Sequence, residues 1–152
     1  MRGFWLLAHF LGMTLRLGAG IATMVLGIAA KHFAPDHRLS AYQLTSAIQR
    51  ILLGPGAVVA VLSGIVLSMP YMKEGTVPGW LMLMMTTGIL AALIAIAIAV
   101  PTAARLGRLS LDPRGELPER FQALRMRLVW SSSIAGALAL IALAAGSLVR
   151  WG

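Results

Sequence analysis

At 152 residues, 59% of them hydrophobic and only 12% charged, with a mean hydropathy of +0.83, the chain is too apolar and too thinly charged for a soluble domain of its size. Its net charge of +8 does not signal a nucleic-acid surface, because the Lys and Arg residues fall in short segments between long apolar runs and not along one face of a folded domain. With no cysteine there is no disulfide, no thiolate metal site and no cysteine nucleophile.

Four apolar stretches, over about residues 4–30, 51–72, 79–104 and 128–149, each suffice to cross a bilayer as helix, which takes about 20 residues. They predict an all-α, integral membrane four-helix bundle in a single domain over residues 1–152. Arg16 interrupts the first run and the apolar pattern continues to Ala30, so the first stretch reads as a retained helix and not a cleaved leader. The connection that follows holds a turn signal, Pro35-Asp36, then Ser40 as N-cap of a short helix over residues 41–50. Gly54-Pro55-Gly56 is expected to break or kink the chain at the entry to the second span. A short turn over residues 73–79 makes the second and third spans antiparallel neighbours. Pro101 marks the end of the third span, and Asp112-Pro113, Gly115 and Pro118 lead into a long last helix, with Glu116 and Glu119 at its positive end.

Lys31, Arg38 and Arg50 in the first connection, and Arg105, Arg108, Arg114, Arg120, Arg125 and Arg127 in the third, face only Arg2, Lys73 and Arg150 on the other side. The bias puts both connections in the cytoplasm and both termini outside, as in a multi-pass protein of the bacterial inner membrane. Trp5, Tyr71, Trp80 and Trp151 would form an outer aromatic belt, with Tyr42 and Trp130 near the inner surface. Small residues recur at close-packing intervals, Gly12, Gly20 and Gly27 on the first helix, Gly56, Ala60 and Gly64 on the second, Gly136 and Gly146 on the fourth, as in a compact bundle.

Two ionisable residues interrupt lipid-compatible sequence, His9 and Arg16. Seven positions apart, they share nearly one helix face, roughly 10.5 Å apart along the axis, with Gly12 and Gly20 on the same stripe. An imidazole, small residues and a deeper guanidinium suit a flat anionic ligand such as heme, with His9 on the iron and Arg16 on a propionate. The structural alternative has His9 bonded to a carbonyl and Arg16 to backbone or lipid phosphate. No acidic residue lies in any span, so Arg16 needs a counter-charge from a ligand, lipid, water or another chain. Met82, Met84 and Met85 lie at the depth of His9 and offer soft donors for heme iron, or for Cu(I) together with the imidazole; packing is the plainer use of each. His32 and His37 belong to the opposite side. Ser131, Ser132 and Ser133 lack a nearby His or acid, and no phosphate-binding glycine loop is present.

At these residues the chain resembles a family of small bacterial four-helix integral membrane proteins of unknown function, related to CopD-type copper-resistance membrane domains and HemJ-type protoporphyrinogen oxidases. His9, Gly12 and Gly18 match the first-helix pattern, with Arg16 where the relatives usually have Trp. Trp80, Pro101 with Arg105, and the basic entry from Arg125 to Trp130 are similar too. The resemblance implies heme held by the first-helix His, with a Lys near the start of the third helix taking part in the oxidase chemistry. Met84 stands in that place here, which argues against the oxidase activity. The leading expectation is therefore a non-enzymatic or redox-accessory membrane protein binding heme b through His9, Arg16, Gly12 and Met84. The alternatives are a subunit of a larger membrane complex or homo-oligomer, and a protein that handles copper through His9, Met82, Met84 and Met85. Membrane lipid is the one partner common to all three.

Overall fold

The computed structural model describes residues 1–75 and 77–147. The expectations placed on Arg150 and Trp151 lie outside these residues. Four long helices carry the fold: α1 (Arg2–His32), α2 (Pro35–Lys73), α3 (Gly79–Leu106) and α4 (Arg120–Ser147), each long and apolar enough to cross a membrane. No strand occurs among the described residues. The chain is thus all-helical, and its four spanning-length helices make it a multi-pass membrane protein.

The entry to α2 differs from the expected turn and short capped helix. Pro35 opens α2, with Asp36 in its first turn; proline suits that position because the first-turn N–H has no helical partner anyway. Ser40 is not a cap: it lies inside the helix and its hydroxyl donates to the Asp36 carbonyl at 3.1 Å. Nor does Gly54-Pro55-Gly56 break the chain. Residues Gln49–Leu53 widen into one π turn, in which the Gly54 N–H donates to the Gln49 carbonyl, and helix continues to Lys73. The same device precedes Pro101 in α3, where Ala95–Ala99 form a π turn closed by Val100 N–H on the Ala95 carbonyl. Proline offers no N–H to the carbonyl four residues back and its ring crowds that carbonyl, so a turn with one more residue accommodates it without a break. The two wide turns are close neighbours, since a Cβ on Gly54 would lie 4.0 Å from Cγ2 of Val100.

The interior is made of small and polar side chains. Among the described residues fourteen of the twenty-one buried apolar ones are alanine, while Phe4, Leu7, Ile51, Leu62 and Leu140 each expose more than half of their surface. That distribution suits lipid, where apolar burial does not drive helices together and close backbone contact does. Consecutive helices are neighbours. α1 lies closely along α2, and α3 along α4, whereas α1 and α4 touch little.

Gly12 and Gly56 set the α1–α2 contact. A Cβ on Gly12 would sit 2.6 Å from the Ala60 nitrogen and 2.8 Å from the Gly56 oxygen, and one on Gly56 would meet the Gly12 oxygen at 3.0 Å. Only glycine admits this approach of backbone to backbone. Gly20, Gly27 and Gly136, expected in the same role, have nothing within 4 Å of the place a Cβ would take. On the α3–α4 side, Gly88 faces Ala142, and Ala95 clusters with Ala135, Ala19 and Leu53.

At the end bearing the α1–α2 and α3–α4 connections, here the basic end, the packing changes character. Leu39, Tyr42, Leu106, Phe121 and Leu128 form a core of large side chains with Ala30, Ala99 and Ala103, flanked by Leu109, Leu111 and Leu117 from the connection between α3 and α4. Tyr42, expected near the inner surface, is buried in this core, edge-on to Phe121 with ring centroids 5.3 Å apart. Its phenol accepts a hydrogen bond from Nε of Arg125 at 3.0 Å, which satisfies the polar end of a ring buried by its apolar body.

Candidate functional site

The site of interest lies in the half of the bundle away from the basic end, where α1 carries His9 and Arg16. Both side chains turn into the protein, not toward lipid. His9 is half-buried against α2, where the missing side chain of Gly64 makes room for its ring: a Cβ there would stand 3.2 Å from Cε1 and 3.4 Å from Nδ1. Nδ1 lies 2.8 Å from the Ala60 carbonyl and 3.2 Å from Oγ of Ser63. The carbonyl only accepts, and the Ser63 hydroxyl already donates to the Val59 and Ala60 carbonyls, so Nδ1 is the protonated nitrogen. A neutral imidazole so fixed keeps its lone pair on Nε2. Metal-ligating histidines are oriented in the same way, through a second nitrogen donating to a backbone carbonyl.

Arg16 is buried near the middle of α1. Its backbone nitrogen packs on Gly56, while its guanidinium crosses to α4, donating from Nη2 to the Ala135 carbonyl at 3.5 Å. That contact is long for a charge-assisted hydrogen bond. It bridges the thinly packed α1–α4 seam. Among the described residues the one ion pair is His37 with Asp36, 3.2 Å apart on the exposed start of α2, so no carboxylate balances Arg16. Among the described residues two buried polar side-chain atoms lack a partner, Oε1 of Gln49 at the start of the α2 π turn and Oγ of Ser132, one turn from Ala135 on α4. Gln49 escaped notice in the sequence because it sits at the edge of an apolar run beside Arg50. A lone amide two residues before such a run was the available signal.

The remaining candidates are dispersed. Gly12 offers no ligand surface, since the backbone of Gly56 and Ala60 fills the space before it. Met84 packs its thioether on α4, with Sδ 3.1 Å from the place a Cβ on Gly146 would occupy. Met82 is exposed, and two residues along a helix of about 3.6 residues per turn it points away from Met84; Met85 is half-buried. His9 thus engages α2 and Met84 engages α4. His32 and His37 are exposed near the basic end, and no group of three or more His, Cys, Asp or Glu among the described residues could hold a metal ion. What the sequence did not reveal is the seat of His9, made by Ala60, Ser63 and Gly64; the small-residue stripe of α2 marked the face but not its register against α1.

Comparison of the chain with protein-family models, with curated proteins and with solved structures returns no match.

Proposed function

We propose that this protein is a multi-pass component of the bacterial cytoplasmic membrane, with both termini on the outer side, that binds a b-type heme and performs no catalytic step of its own. The observation that carries this reading is the imidazole of His9, anchored through Nδ1 on Ala60 and Ser63 with its Nε2 lone pair left for a metal. A heme would supply a one-electron redox centre. His9 would hold its iron, and Arg16, whose charge is otherwise balanced by no carboxylate, would pair with a propionate. Gly12, its face closed by the backbone of Gly56 and Ala60, would take no part in holding the group. A Cu(I) site with His9 and the methionines of α3 would not take Met82 together with Met84, which lie on opposite sides of that helix. The test is the absorption spectrum of protein purified in detergent after expression with ample heme. A Soret band is expected, lost in His9→Ala and kept in His32→Ala; colourless wild-type protein ends the proposal.

A second reading, a subunit of a larger membrane assembly, is favoured by one observation: Gly18, Gly20 and Gly27 on α1 and Gly136 on α4 have open space where a Cβ would stand. Such faces suit a neighbouring helix. Extraction in mild detergent followed by native electrophoresis separates the readings, since a subunit migrates in a particle several times its own mass.

A further inference from the structure

Where α1 ends and α2 and α4 begin, a cleft of about 410 Å³ opens at the basic end, lined by Ala30, Lys31, Arg38, Tyr42, Gln122 and Arg125. Three of its six lining residues are cationic, and each comes from a different helix. Two are held in place by bonds to the protein. Arg38 caps the end of α1, donating from Nε to the Ala30 carbonyl at 3.0 Å and from Nη2 to the Lys31 carbonyl. Arg125 donates from Nε to Tyr42, whose ring is braced by Phe121. The terminal nitrogens of Arg125 and the ammonium of Lys31 have no hydrogen-bond or ion-pair partner among the described residues, where the one ion pair is His37 with Asp36.

Loop cations that only set topology have no need to be oriented by Nε bonds or to converge on one opening. We infer that this cleft binds a phosphate group, and that the phosphate is the headgroup of an anionic phospholipid in the leaflet on the basic side. The terminal nitrogens of Arg125 and the Lys31 ammonium supply the recognition as charged donors to phosphate oxygens, while Arg38, its Nε and Nη2 committed to carbonyls, adds positive charge beside them. Lipid is favoured over a soluble phosphate by position. The cleft sits at the ends of spanning-length helices, where headgroups lie, and Ile28 of α1 and Met126 and Val129 of α4, in the same turns, expose their apolar side chains as acyl chains require. This site is independent of the heme reading, being at the other end of the bundle.

The test measures lipid retained per chain, by native mass spectrometry of the full-length protein released from detergent, after exchange with phosphatidylglycerol or phosphatidylcholine. Phosphatidylglycerol is expected to be retained and phosphatidylcholine lost. The double variant Lys31→Gln with Arg125→Gln should weaken retention about fivefold per cation removed, roughly 25-fold together, while Arg114→Gln, in the α3–α4 connection and outside the cleft, keeps the wild-type value. Arg38 is left intact because it caps α1. Equal retention of the two lipids by the wild-type protein, or wild-type retention by the double variant, overturns the proposal. Competition on the wild-type protein needs no variant to fold. If millimolar inorganic phosphate displaces phosphatidylglycerol and protects the protein equally against heat, the lipid assignment falls to a soluble phosphate; if it does neither, the headgroup stands.

Discussion

The two halves of the bundle are built by different rules. At the basic end Tyr42, Leu106, Phe121 and Leu128 interlock as in the core of a water-soluble protein. In the other half, backbones meet through Gly12, Gly56 and a series of alanines, while the large apolar side chains point outward. The solvent explains the difference. Where helices emerge into water, burying a phenyl ring removes apolar surface from water and stabilises the fold. Where lipid surrounds them, the same ring gains nothing by turning inward, and attraction comes from close contact and the few polar bonds across helices. Arg16 and His9 lie in the second environment, so their polar groups must be satisfied by protein or ligand.

Substitutions sharpen this contrast when stability is followed by circular dichroism during unfolding in mixed micelles. Phe121→Ala should cost the most, about 3–5 kcal/mol, because it removes a buried ring and leaves a cavity that water-driven packing had filled. A loss under about 1 kcal/mol would show that the basic end is not packed as a water-facing core. Gly12→Ala follows, at about 1–3 kcal/mol, because the added methyl meets backbone atoms that move only if α1 and α2 separate. Gly20→Ala, with open space around it, is the control and should stay within about 0.5 kcal/mol. Equal effects at Gly12 and Gly20 would break the assignment of the α1–α2 contact. Tyr42→Phe is smaller than Gly12→Ala on average, about 1 kcal/mol, as it removes only the hydrogen bond to Arg125 and keeps the ring.

The four spanning segments were legible because long uninterrupted apolar runs have few other solutions. Helix ends were less so. Pro35 was read as a turn but opens a helix, and Pro55 was read as a break or kink, of which the break does not occur because a wider turn absorbs it; proline announces a local problem, and the neighbouring structure decides how it is solved. The glycines make the same point. Gly12 and Gly20 look alike in sequence, yet only one has a partner helix before it, and that depends on a register no single chain segment encodes. His9 and Arg16 were legible as residues out of place in lipid, but not the neighbours they reach: the Ala60 carbonyl and Ser63 for one, the Ala135 carbonyl for the other. The cations of the basic cleft were counted as topology signals because charge bias shows in a sequence and convergence in space does not.

The paired wide turns in α2 and α3 carry a consequence for how the chain tolerates changes in length. A turn closed five residues back holds one residue more than its ordinary counterpart, so Gln49–Leu53 and Ala95–Ala99 each contain a supernumerary position. Deleting one residue within either segment lets the backbone rewind to regular α pitch with both flanking faces still aligned, trading the wide turn for a proline kink. The same deletion anywhere else in those helices swings everything beyond it by about 100°.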